Sequence, residues 1–198
     1  MRWENLRRSS NIEDRRSSGA GMAVKGGAGG VFVMALVVYL LGGDPTGLLI
    51  EGVSRTIATS SRHESTITPE EQNRQADFVA AVLGSTEDSW GQIFSAQGQT
   101  YQVPKLVLFA GGVDSACGMA SSAMGPFYCA QDQSVYIDLD FFHELEARFQ
   151  APGDFARAYV IAHEVGHHVQ NLLGTLPRIH ELQAMAGRTK ANALSVKL

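Results

Sequence analysis

The stretch Tyr159-Val160-Ile161-Ala162-His163-Glu164-Val165-Gly166-His167-His168-Val169-Gln170 constrains this chain more than any other: two histidines four residues apart, a glutamate between them, and apolar or uncharged neighbours. Side chains four apart lie about 40° apart around an α-helix and one turn along it. A helix therefore brings both imidazoles to one side of a rigid element. A solvated helix would carry charges at the surrounding positions, so the pattern calls for a helix packed into a domain. Asp154 is a good N-cap and Gly174 a stop, which sets the predicted helix at about 154–173.

The chemistry open to that spacing is narrow. Two imidazoles from one helix can fill two positions of a tetrahedral zinc, which makes His163 and His167 the candidate metal ligands. Glu164, turned about 100° from the ligand line, is placed to take a proton from water and is the candidate general base. Zinc lowers the pKa of a bound water to ~7 and polarises a scissile carbonyl, and the protonated glutamate can pass its proton to a departing amine. The plain alternative is two histidines satisfied by core hydrogen bonds. A catalytic zinc also takes a third protein ligand and keeps one position open. His168 points about 100° away from His167 and reads as a supporting or surface group. His180 and Glu181, after a Gly174/Pro177 turn, remain open as third ligands, while His143 and His63 read as ordinary polar residues.

Residues 23–43, AVKGGAGGVFVMALVVYLLGG, hold a dense apolar core from Val31 to Leu41. About 20 such residues cross a ~30 Å hydrocarbon layer, so this segment is predicted to be one transmembrane anchor. A cleaved signal peptide fits less well, because Gly42, Gly43, Asp44 and Pro45 follow where a small-residue cleavage site is expected. A buried core helix fits less well too, because the glycines between Gly21 and Gly30 offer little side-chain surface. Ahead of this run, Arg2, Arg7, Arg8, Arg15, Arg16 and Lys25 outnumber Glu4, Glu13 and Asp14. By the positive-inside rule, residues 1–22 form a basic cytoplasmic tail and the chain after Asp44 lies outside. The 198 residues carry a net charge of −4, so the body beyond the tail is acidic and has no basic stripe for nucleic acid. Cys117 and Cys129 are either a disulfide or two unrelated small residues. An oxidising exterior favours the bond, worth about 2 to 3 kcal/mol in the loop-closure model.

Residues 44–67, rich in Thr, Ser and Gly, read as a linker, and the folded domain is expected over 68–198. Thr68-Pro69-Glu70-Glu71 has the form of a helix start, and Phe78, Val79, Val82 and Leu83 share one apolar face of a helix predicted to end near Leu83. Trp90 and Phe94 are read as core. Residues 101–110 and 135–139 read as strands, with a Gly/Ser/Met loop between them. Helices are expected over about 140–149 and, mostly polar, over 178–198. The resulting class is α+β, mainly helical with a small sheet.

Several stretches resemble the bacterial neutral zinc metallopeptidases with one N-terminal membrane anchor: Met1-Arg2-Trp3, Asn11-Ile12-Glu13-Asp14-Arg15-Arg16, Gly125-Pro126-Phe127-Tyr128-Cys129, Tyr136-Ile137-Asp138-Leu139, Gly153-Asp154-Phe155-Ala156 and, most specifically, the 159–170 run. The resemblance implies a zincin-like peptidase domain, Zn2+ as cofactor, and peptides or proteins as substrates. In that family, a segment like Asn192-Ala193-Leu194-Ser195-Val196-Lys197-Leu198 leads into a Glu-Leu-Gln-Ala-Asp-Cys motif whose glutamate is the expected third ligand. The resemblance thus puts that ligand beyond Leu198 and implies a chain truncated at its C-terminal side. Glu181-Leu182-Gln183-Ala184 imitates the motif too early, with Met185 where Asp belongs, and is read as a decoy. The expected function is a zinc-dependent peptide-bond hydrolase at the bacterial inner membrane with its domain periplasmic or extracellular. The alternative is a membrane-tethered, non-catalytic binding or scaffold module on the same fold.

Overall fold

A computed structural model describes residues 2–16, 67–149 and 153–196. The predicted anchor over 23–43 lies outside them, as does the predicted linker apart from Ile67. Among the described residues no helix is long and apolar enough to cross a membrane.

Helix α1 spans Pro69–Ala96, started as its sequence predicts: the Thr68 side chain accepts from the Glu71 N–H and Pro69 occupies the first turn. It runs well past Leu83, where the sequence reading ended it. Gly84 is no stop here. It lies mid-helix under the Arg7 carbonyl, so its missing side chain serves a close approach of backbone. The face of Phe78, Val79, Val82 and Leu83 is buried, and Phe94 with it.

The sheet comes next. Strands β1 (Ile12–Asp14), β2 (Lys105–Phe109), β5 (Phe127–Cys129) and β6 (Ser134–Asp138) order as β1-β2-β6-β5, the first three parallel and β5 antiparallel at the end. β3 (Gly112–Ser115) and β4 (Gly118–Ser121) form a separate hairpin. β2 and β6 are buried on both faces, which explains why each reads as a continuous apolar run rather than an alternating one. Tyr101–Pro104 do not join β2, and Pro104 has no N–H to give a ladder. One face packs Leu106, Leu108, Val135 and Ile137 against α1, and the other packs Val107, Phe109 and Tyr136 with Val113 and Cys129. The predicted Gly/Ser/Met loop contains three short strands, β3, β4 and β5. Cys117, at the hairpin turn, is disulfide-bonded to Cys129 on β5, with Cα atoms 5.8 Å apart.

Helices α2 (Asp140–Phe149), α3 (Asp154–Leu172), α4 (Thr175–Ala184) and α5 (Arg188–Ser195) complete the α+β arrangement. α3 is capped by Gly153 rather than Asp154, and Gly174 at φ 73° both ends α3 and opens α4.

The expectation of a separate tail over residues 1–22 is not met by residues 2–16, which belong to this domain. β1 pairs Ile12 with Leu106, Glu13 with Val107 and Asp14 with Leu108. Trp3 is 5% exposed and stands edge-on to Phe78 at 5.3 Å, with the Arg8 guanidinium over its ring. Arg8 grips both carboxylate oxygens of Asp77 at 2.8 and 2.7 Å. Arg7 reaches Glu87 and Asp88, each at 2.8 Å, and Ser9 donates its N–H to the Ala80 carbonyl and its hydroxyl to Glu87. Arg7 and Arg8 thus meet carboxylates on α1, partners about seventy or eighty positions away that local charge counting could not find, while Arg15 and Arg16 pair with Glu13 and Asp14 two positions away.

Candidate metal centre

α3 buries Ile161, Val165 and Val169 against the sheet and α1, and that burial fixes which way its polar residues turn. His163 faces solvent, Glu164 is 7% exposed, His167 is half-buried and His168 is fully buried. The His163 and His167 rings lie 4.7 Å apart, centroid to centroid, and meet edge to face. Tyr159, one turn earlier, lies over the His163 ring at 6.2 Å. The three residues the sequence singled out are therefore brought together on one turn of one helix.

Strand β5 supports them from the side. The backbone N–H of Tyr128 lies near the Glu164 carboxylate and favours its charged form. The Tyr128 hydroxyl lies 3.0 Å from His168 Nδ1 and accepts from the Asn171 amide at 3.1 Å. His168 Nε2 lies 2.6 Å from the Gln102 carbonyl oxygen, and His167 Nδ1 lies 2.9 Å from Gln170 Oε1. Sequence reasoning left Tyr128, Asn171 and Gln170 unassigned. Gln170 stood in view three positions after His167, at helical spacing. Tyr128 had no such signal, since only the sheet carries it to the helix.

Burial pushes the Glu164 carboxyl above its usual range, opposed by His167 and the Tyr128 N–H. Burial, reinforced by His167, holds the His163 imidazole below its usual value. Burial does the same to His168, opposed by its bond to Gln102. The set comprises two imidazoles, that of His163 held towards its neutral form, beside the buried carboxyl of Glu164, which suits a zinc site with a general base.

The donors fit zinc in kind, because imidazole nitrogen is among its commonest ligands. Among the described residues, no group of three or more His, Cys, Asp or Glu forms a metal cluster. His180 and Glu181, on α4, therefore complete no site with His163 and His167. His143 is exposed on α2, and His63 lies outside the described residues. His168 is turned away into the core, a supporting group rather than a surface one.

The family described as "Putative neutral zinc metallopeptidase" matches residues 1–198. The chain belongs to that family. Among similar proteins, the Escherichia coli (strain K12) "Uncharacterized protein YpfJ" is 45% identical over 208 residues, covering 100% of this chain and 70% of that protein. The Mycobacterium tuberculosis (strain H37Rv) "Uncharacterized protein Rv2575" is 40% identical over 153 residues, covering 75% of this chain and 51% of that protein. No solved structure matches the chain.

Proposed function

We propose that this neutral zinc metallopeptidase family member hydrolyses peptide bonds on a zincin-like domain, with His163 and His167 as two ligands of Zn2+ and Glu164 as the general base. The observation that carries the reading is the paired imidazoles of His163 and His167, 4.7 Å apart, on the same turn of helix as the buried carboxyl of Glu164. Zinc bound there would polarise the scissile carbonyl and acidify water. Glu164 takes the proton that water gives up and delivers it to the leaving amine. Its burial, which raises its affinity for a proton, suits both halves of that task.

The compartment belongs to the proposal. β1 is a strand of the same sheet as β2, so a single membrane crossing within 23–43 would separate a pair of hydrogen-bonded strands. We infer that residues 2–16 and 67–196 work on one side of any membrane the chain attaches to. The Cys117–Cys129 disulfide supports the periplasm or exterior as that side. Attachment to the inner membrane through 23–43 would then have to return the chain to the side it left.

The test is metal content together with cleavage of fluorescein-labelled casein. The native protein should hold zinc and cleave; His163→Ala and His167→Ala should lose both; Glu164→Gln should keep zinc and lose cleavage. Zinc retained without cleavage in the native protein would favour a binding or scaffold module instead.

A further inference from the structure

We propose that Gln170 is a positioning residue that sets the tautomer of His167 for metal binding. The inference rests on the reading of His163 and His167 as ligands. A neutral imidazole carries one N–H and one lone pair, and only the lone pair can bind a metal. Gln170 Oε1 lies 2.9 Å from His167 Nδ1, and an amide oxygen can only accept. The ring proton is therefore drawn to Nδ1, and the lone pair is left on Nε2. An imidazole without this partner favours the opposite form in water, with its proton on Nε2. Gln170 removes that competing form before the metal arrives and fixes the ring's rotation about its own axis.

The neighbouring histidine shows the same device set the other way. His168 Nε2 lies 2.6 Å from the Gln102 carbonyl oxygen, which must accept, so His168 carries its proton on Nε2. Its Nδ1 lone pair accepts from the Tyr128 hydroxyl at 3.0 Å, and that hydroxyl in turn accepts from Asn171. Both nitrogens of His168 are used, in a ring that is fully buried. Two adjacent histidines are thus driven to opposite tautomers by what faces them. One is held ready for a metal, and the other is spent on tying α3 to β5 and to the Gln102 carbonyl.

Gln170→Met keeps the side-chain length and helix propensity and removes the acceptor. Gln170→Glu keeps the acceptor. Nitrogen-15 imidazole spectra of the metal-free protein should show His167 protonated at Nδ1 in the native and Gln170→Glu proteins, and shifted towards Nε2 in Gln170→Met. His168 should stay protonated at Nε2 in all three. Zinc affinity, read by competition with a chromophoric chelator, should fall about 10- to 100-fold in Gln170→Met and recover in Gln170→Glu. A native protein that binds zinc but protonates His167 at Nε2 overturns the role of Gln170 alone, as does a Gln170→Met protein of native affinity. A native protein that binds no zinc overturns the metal reading and, with it, what Gln170 prepares.

Discussion

A Cβ built on Gly84, in the middle of α1, would lie 2.5 Å from the Arg7 carbonyl oxygen, closer than two such atoms can come. The arm of residues 2–16 is seated on the helix through that gap, and the neighbouring atoms at 3.2 and 3.3 Å are also backbone, which cannot swing aside. Gly84→Ala should favour the helix by about 1 kcal/mol while unseating the arm. Hydrogen exchange of Arg7–Asp14 amides should accelerate, with α3 unaffected. Native protection across those residues would refute the seating.

Acid should release the same arm. Glu13 is held down to about 2 by its neighbour Arg15 and by Lys105 on β2, and Asp77 on α1 is lowered by Arg8 of the arm, so that the Lys105 and Arg8 pairs are the ones that join arm to body. Each folded value lies below its unfolded one, so the stabilisation is complete above the unfolded values, near 4.5 and 3.8, and is lost as pH falls through the folded ones. Trp3 emission in a Trp90→Phe background should report its exposure between about pH 4.5 and 2. Emission that stays native to the bottom of that window would mean these pairs do not hold the arm.

The Tyr128 hydroxyl should matter to stability more than to metal binding. Tyr128→Phe leaves the backbone near Glu164 unchanged but leaves Nδ1 of the buried His168 without its donor. The expected cost is about 1 to 3 kcal/mol in a urea titration, with zinc content unchanged. A neutral substitution would show that water replaces the hydroxyl.

Single cysteines at Glu4 and Gln99, both exposed, should react from the same side of intact spheroplasts with a membrane-impermeant maleimide. The native cysteines are bonded to each other and silent in that assay. Labelling of the two positions from opposite sides would defeat the shared-compartment reading and restore a cytoplasmic tail.

What the sequence made legible was local. The α3 helix and the companionship of His163, Glu164 and His167 follow from a period of 3.6 residues, and the start of α1 follows from Thr68 and Pro69. β2 and β6 showed themselves because strands buried on both faces are continuously apolar. β3, β4 and β5 did not. They are three or four residues long, partly exposed and, in β3 and β4, rich in Gly and Ser, and their pairing partners rather than their propensities make them strands.

The sequence by itself determined which residues could do chemistry, because spacing on one helix needs no knowledge of the rest of the chain. Only the tertiary structure decided how they are held. Glu164 is buried under a backbone N–H of β5, His168 is committed to Tyr128 and Gln102, and the basic arm is bound to α1 rather than left as a tail. Each of these is a contact between residues from about thirty-five to eighty positions apart. Their meeting depends on sheet order and helix packing, which no local pattern of charge or hydrophobicity encodes.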